Sequence, residues 1–347
     1  MAIKKASYNK DEAKALRNSA IPAAVMASEG TRFDSADDAS VFFARELDHV
    51  KAESYDVEYP EFTALNLFPV SNETDPGAET VTYYTYDKTG LAKVIDNYST
   101  DLPRADVTGK PSYAQVKSIG DSYGYSAQEM RASRMAGKSL DSRKAESARY
   151  QIDNLTNRIA WAGDENSGLM GVLSTGQNVP LYTIGNGAGQ KADWASKTAD
   201  EILADVNGMQ KQVARVTKNV ERPDTLCVPS DVYMDISTRR IPDTATTVKA
   251  FLLENAPYLK DIVSAAELDA DSVDTNPYAK ATTGGKGVAF LFKNDKRKMS
   301  LENPMPFMQY PLQVKGLETV IPCEARTAGV IFYYPLSALI AVGVSVN

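Results

Sequence analysis

Between Gly77 and Tyr125 the chain carries two extended pieces with no evident partner nearby, and this constrains the fold more than any motif does. The first, ETVTYYTYD from Glu79, is rich in Thr and Tyr and follows the turn former Asp75-Pro76-Gly77, which reads as a strand. The second, SYAQVKSIGDSYGYS from Ser112 to Ser126, comes after a polar stretch, YSTDLPRADVTGKP, punctuated by Pro103, Gly109 and Pro111. Both faces of such a ribbon mix polar and apolar groups. A lone two-stranded hairpin is marginal in water, so the pattern predicts a long excursion that something outside it must cover.

The next strong signal is helical. Ser126-Ala-Gln-Glu129 has capping-box spacing and opens a short helix that Gly137 would end. Ala145, Ala148, Ile152, Leu155, Ile159 and Ala162 then recur at intervals of three and four, with charged residues elsewhere around the cylinder. A helix from about Leu140 to Ala162, stopped by Gly163, would be about 35 Å long at ~1.5 Å per residue. Upstream, SADDASVFFARELDHV predicts one amphipathic helix through Phe43, Leu47 and Val50, behind an arm over residues 1–33. EFTALNLF, between Pro60 and Pro69, is too short to assign.

Beyond Gly163 come two Gly-rich connections and then a compact alternation. ADEILADVNGMQKQVARV reads as a helix with Gly208 as a weak point, DTLCVPSDVYMDI as a strand and helix start, TTVKAFLLENAP as a helix and KGVAFLFKND as a buried strand. From Leu312 the chain is almost wholly extended, punctuated by Gly316, Pro322, Gly329 and Pro335.

Chemistry is scarce. His49 is the single histidine and stands in a charged helical series, so a two-imidazole zinc site is impossible and a catalytic triad would have to use that residue. Cys227 and Cys323 make neither a disulfide framework nor a CxxC pair, which fits a reducing compartment. The amino terminus lacks the apolar stretch of a signal peptide and no run approaches the ~20 residues of a membrane span, so a soluble chain is expected. Gly185-Asn-Gly187-Ala-Gly189 and Gly284-Gly-Lys286-Gly287 miss the phosphate-loop spacings, and Asp269, Asp271 and Asp274 lack the Gly and Glu of a calcium loop. With a net charge of −7 and a pI near 5.0, sequence-reading affinity for DNA is disfavoured. The tyrosines of TVTYYTYD are flanked by Glu79 and Asp87 instead of a basic groove, so contact with another protein is the better reading than base stacking. Catalytic, cofactor-binding and metal sites are accordingly expected to be absent. With 45 acidic residues, a carboxylate-dependent hydrolase stays open as a less favoured alternative.

The order of elements resembles the major capsid protein of tailed bacteriophages, the Hong Kong 97 type fold that encapsulin shells share. ARELDHVKAESYDVEYPEFTALNLFPV and GAETVTYYTYDKTGLAKVI are similar to the arm and extended loop of that family, and SLDSRKAESARYQIDNLTNRIAWAGD to its spine helix. Glu318 to Gly343, with CEAR, YYP and SALIAVG, resembles its peripheral return strand and final axial strand. The resemblance implies an α+β chain with an N-terminal arm over 1–76 and an extended two-stranded loop over 77–125. It further implies a spine helix and peripheral domain over 126–190, an axial domain over 191–303 and return strands over 304–347. It implies a self-assembling icosahedral head enclosing double-stranded DNA, or, as an alternative, an encapsulin-like compartment. The partners would be sister copies in pentamers and hexamers, with scaffold, portal and decoration proteins and non-specific contact with DNA. The place would be the virion, assembled in the bacterial host cytoplasm. On this reading Tyr83, Tyr84, Tyr86, Lys93, Arg104 and Lys110 are the expected intersubunit contacts of the extended loop.

Overall fold

The computed structural model describes residues 59–94, 102–136, 143–280 and 287–345. Residues 1–58 of the expected arm, with the helix after Ser35 and His49, lie outside the described residues, as do Gly137 and Gly284-Gly-Lys286. The chain clusters into two units, Met1–Tyr59 and Pro60–Asn347, and the second is the one described below.

Residues 60–71 pack into the core. A one-turn helix, α1 (Ala64–Leu67), and a short strand, β1 (Val70–Ser71), bury Ala64, Leu67 and Phe68. The apolar run EFTALNLF is short because it needs only to plug a core that other elements supply.

A ribbon of β2 (Thr80–Thr89) and β3 (Asp106–Gln115) follows, then β4 (Lys117–Ser126), α2 (Ala127–Ala136) and the long α3 (Arg143–Ala162). The strand expected over Ser112–Ser126 therefore divides at Val116. Its first part pairs with β2, whereas all ten residues of β4 pair antiparallel with β12 (Glu318–Thr327), from Ser126↔Glu318 to Lys117↔Thr327. β10 (Met305–Gln309) and β11 (Gln313–Lys315) pair with β12 to complete this sheet. The α2 capping box is present: Glu129 N–H donates to Ser126 Oγ at 3.1 Å and Ser126 N–H to Glu129 Oε2 at 2.9 Å. That bond and Lys144 hold the Glu129 carboxyl below its usual value.

α3 lies on the β4–β12 sheet, where Ala148, Ile152 and Ile159 meet Ile119, Cys323 and Ala325 as the spacing predicts. Its last two turns are buried more widely. Trp161 packs edge-on to Phe68 at 4.8 Å between centroids, and Asn157 accepts from Ala64 N–H at 3.0 Å while donating to Glu267 Oε1 at 2.8 Å. A polar residue on a helix face carries no periodic signal, so this buried knot was invisible in the apolar pattern. Gly163 ends the helix at φ +76°, where a Cβ would stand 2.5 Å from Ser174 Oγ, and the returning Val172 and Leu173 N–H groups bond the carbonyls of Ala160 and Trp161.

The remaining core is a five-stranded mixed sheet, in the order β5 (Leu181–Thr183), β14 (Ala338–Val342), β8 (Val288–Phe292), β6 (Thr225–Val228) and β7 (Asp261–Ser264). Alternation divides its faces. Leu226, Leu291 and Leu339 face α4 (Ala199–Val216), α5 (Ser230–Thr238) and α6 (Val248–Asn255), while Cys227, Phe290 and Ile340 face Phe68 and Trp161. β1, β9 (Met299–Glu302) and β13 (Gly329–Phe332) form a small third sheet. Helix α4 runs unbroken through Gly208 because Ile202, Val206, Met209 and Val213 anchor it on both sides.

One buried ion pair braces this block. Lys197 Nζ lies 2.6 Å from Asp205 Oδ2 and donates to Gly185 O at 2.6 Å, while Trp194 Nε1–H donates to the same carboxylate oxygen at 2.9 Å. Burial raises the Asp205 carboxyl, and Lys197 and Trp194 pull it back.

Candidate functional site

The β2–β3 ribbon pairs in register from Thr80↔Gln115 to Thr89↔Asp106, so its ten-residue strands extend roughly 34 Å. Pro111 and Gly109, read in the sequence as breakers, are inside β3. A two-stranded ribbon has two open edges, and an edge strand tolerates a proline that a central strand would not. Gly109 is used differently: a Cβ there would come within 2.9 Å of the Tyr86 ring lying across it.

Strand alternation sorts the tyrosines onto opposite faces. One face carries Thr82, Tyr84, Tyr86 and Lys88, and opposite them across the ladder Tyr113, Pro111, Gly109 and Val107. It is open to solvent: Tyr84 is 62% exposed, Tyr86 71%, Tyr113 78% and Val107 58%. The Tyr84 and Tyr86 rings stack at 6.4 Å and 23°, which presents them as one flat apolar block. The other face carries Val81, Tyr83 and Thr85, which are half-buried, with Lys110 opposite Thr85. Tyr83 meets the body of its own chain, its ring edge-on to Tyr333 at 5.1 Å and 87°.

Of the six expected contact residues, the structure therefore groups Tyr84 and Tyr86, places Tyr83 and Lys110 on the opposite face, and leaves Lys93 and Arg104 exposed toward the distal end. The Tyr83 ring makes an intramolecular contact. The open face also carries Tyr113, Pro111 and Val107, outside the six expected residues; Tyr113 lies in the extended piece expected from Ser112, and the alternation Val107, Gly109, Pro111, Tyr113 places the other two beside it. Leu91, Val94 and Leu102 add large exposed apolar groups near the tip. Between Asp87 and Lys110 four cations (Lys88, Lys93, Arg104, Lys110) balance four acids (Asp87, Asp96, Asp101, Asp106), so the ribbon lacks the cationic excess that a nucleic-acid platform needs.

The sequence motifs resolve into structural roles. In the Gly185–Gly189 loop, Ala188 N–H donates to Glu201 Oε1 at 2.7 Å, so a carboxylate of the α4 capping box takes the donor a phosphate would use. Asp269 Oδ1 accepts from Ser230 N–H at 2.7 Å at the start of α5, and burial raises its carboxyl. Among the described residues no group of His, Cys, Asp and Glu could hold a metal ion. Burial pushes up the thiols of Cys227 and Cys323, which disfavours the reactive thiolate. An open trough of about 550 Å³ on β4 and β12 holds Asp121 and Glu324. There the Tyr310 hydroxyl donates to Glu324 Oε2 at 2.6 Å and holds that carboxyl below its usual value, opposite to what a general acid at neutral pH requires. Among the described residues no helix is long and apolar enough to cross a membrane.

Comparison with known proteins agrees with this geometry. The capsid of Myoviridae phage XM1 superposes with a TM-score of 0.72 at 17% identity, covering 88% of this chain and all of that one. The native GTA particle capsid gives 0.60 at 10% identity, covering 90% and 100%, and a chain of Mycobacterium phage Bobi 0.57 at 14%, covering 86% and 96%. At such identities the likeness establishes the fold, the Hong Kong 97 type. No curated protein matches the sequence. A family model described as major capsid protein matches residues 90–344, well over half of the chain. The chain belongs to the major capsid protein family of phage heads.

Proposed function

We propose that this capsid subunit assembles by laying the Tyr84, Tyr86 and Tyr113 face of its β2–β3 ribbon on a sister copy, with Lys93 and Arg104 contributing at the ribbon's distal end. The observation that carries this is the ribbon's open face: three tyrosines more than half exposed, two of them stacked, on an element with little of its own chain beneath it among the described residues. Apolar aromatic area of this kind is what interface cores are made of. Many copies of one modest contact, closed by symmetry, make a shell that is effectively irreversible.

On this reading the five-stranded block with α4, α5 and α6 is the axial domain, and α3 with the β4–β10–β11–β12 sheet is the peripheral domain. The shell encloses double-stranded DNA, and the acidic subunit confines it by geometry without reading its sequence. The subunit performs no catalysis. Pentamers and hexamers of the same chain are its main partners, with scaffold, portal and decoration proteins acting on the shell during assembly in the host cytoplasm. Sedimentation and electron microscopy of the purified full chain test the reading. Capsomers or closed particles are expected; monomers alone at high concentration, with no particles, would overturn it.

A further inference from the structure

Among the described residues, the ribbon is anchored only at its base. From Tyr86 to Gly90 and from Pro103 to Lys110 every described residue is exposed. The ties are few and lie close together. Val116 N–H donates to Glu79 O at 2.8 Å, Arg326 donates to Pro76 O, and Tyr83 meets Tyr333. A cleft of about 190 Å³ lined by Tyr83, Tyr113, Ala114, Met170 and Ile331 lies between the ribbon base and the body.

One buried carboxylate joins both sides of this base. Glu302 is 3% exposed. Its Oε1 accepts from Ser300 Oγ at 2.7 Å and from the Tyr333 hydroxyl at 3.2 Å, and its Oε2 accepts from Thr74 Oγ1 at 3.3 Å on the segment leading into β2. Ser300 Oγ lies 3.0 Å from the same Tyr333 hydroxyl. The carboxylate thus orients the ring against which Tyr83 rests while also holding the incoming leg.

We infer that Tyr83, Tyr333 and Glu302 form a latch that sets the angle at which the ribbon presents its Tyr84 and Tyr86 face. The three are positioning residues, and the inference rests on the reading of the ribbon as an assembly arm. The lever is long: for a ribbon of roughly 34 Å, a rotation of about 10° at the base moves the tip by about 6 Å. That displacement exceeds the spacing between adjacent strands, so an unlatched ribbon would meet its neighbour out of place.

The test compares wild type, Tyr83→Ser, Tyr83→Phe and Tyr333→Phe as full chains, by amide hydrogen exchange before assembly and by the diameters of the particles formed. In Tyr83→Ser, exchange at Thr80–Tyr86 and Ser112–Gln115 is expected to rise roughly tenfold while β6 and β8 keep wild-type protection, and particles should become heterogeneous. Tyr83→Phe keeps the ring edge and should restore both readouts. Tyr333→Phe keeps its ring but loses the bonds to Ser300 and Glu302, and should fall between. Wild-type exchange or uniform wild-type particles in Tyr83→Ser would overturn the latch, as would failure of Tyr83→Phe to rescue. If wild type itself formed no particles, the assembly reading would fail, and the exchange comparison would still judge the latch.

Discussion

Replacing Tyr84 and Tyr86 together by serine is expected to abolish closed particles at concentrations where wild type assembles completely, without changing the stability of the subunit. Both side chains are more than half exposed in the isolated chain, so their loss should move its unfolding free energy by no more than about 0.5 kcal/mol. Buried against a sister copy, each aromatic ring is worth about 1.5–3 kcal/mol, giving about 3–6 kcal/mol for each subunit contact. At 1.4 kcal/mol per factor of ten, that raises the concentration needed for assembly by about 10²–10⁴-fold, and closure multiplies the effect because every contact in the shell is weakened at once. Light scattering against concentration, beside a melting curve of the same preparation, measures both halves. Normal assembly by a normally folded double variant would remove the tyrosine face from the account.

The largest stability effect is expected at Lys197→Met, far from that face. The Lys197 side chain is 2% exposed and its Asp205 partner 12%, so methionine would retain the packing of the stem while leaving a buried carboxylate with Trp194 as its one donor among the described residues. Breaking a buried pair from one side costs about 3–5 kcal/mol; at about 2.1 cal/mol/K per residue a chain of 347 residues shifts by about 1.4 °C per kcal/mol, so melting should fall by roughly 4–7 °C. Adding Asp205→Asn removes the stranded charge and keeps an acceptor for Trp194, so the double variant should recover most of the loss. A Lys197→Met chain within 1 °C of wild type would show that the pair does not brace the block.

Local signals were legible in the sequence wherever the physics is local. The Ser126 and Glu129 capping box, the three-and-four stripe through Ile152 and Ile159, and the positive φ at Gly163 are properties of a few adjacent residues, and each appears where its pattern placed it. The run VAFLF reads as a buried strand for the same reason, and β8 buries all five of its residues. What failed was partner choice. β4 leaves the ribbon at Val116 to pair with β12, some two hundred residues away, and nothing within SYAQVKSIGDSYGYS marks that exchange. Pro111 and Gly109 lie in the polar stretch before the expected strand, and an open ribbon accepts both within β3.

At the candidate site the composition was legible and the geometry was not. TVTYYTYD announced a tyrosine surface, and alternation alone separates Tyr83 from Tyr84 and Tyr86. Which face is propped and which is presented depends on Tyr333, contributed by a segment near the other end of the chain. The buried Asn157 and Glu267 knot is a similar case, since its partners are brought together only by the folded core.

The ribbon's engagement with a sister copy is tested most directly by thiol labelling of Thr82→Cys, a position on the presented face between Tyr84 and Tyr113. Both native thiols are buried, so the introduced one reports alone. It should react rapidly in the unassembled chain and become at least about tenfold slower in assembled particles. Equal reactivity in the two states would show that this face stays open to solvent in the shell, and would contradict the account.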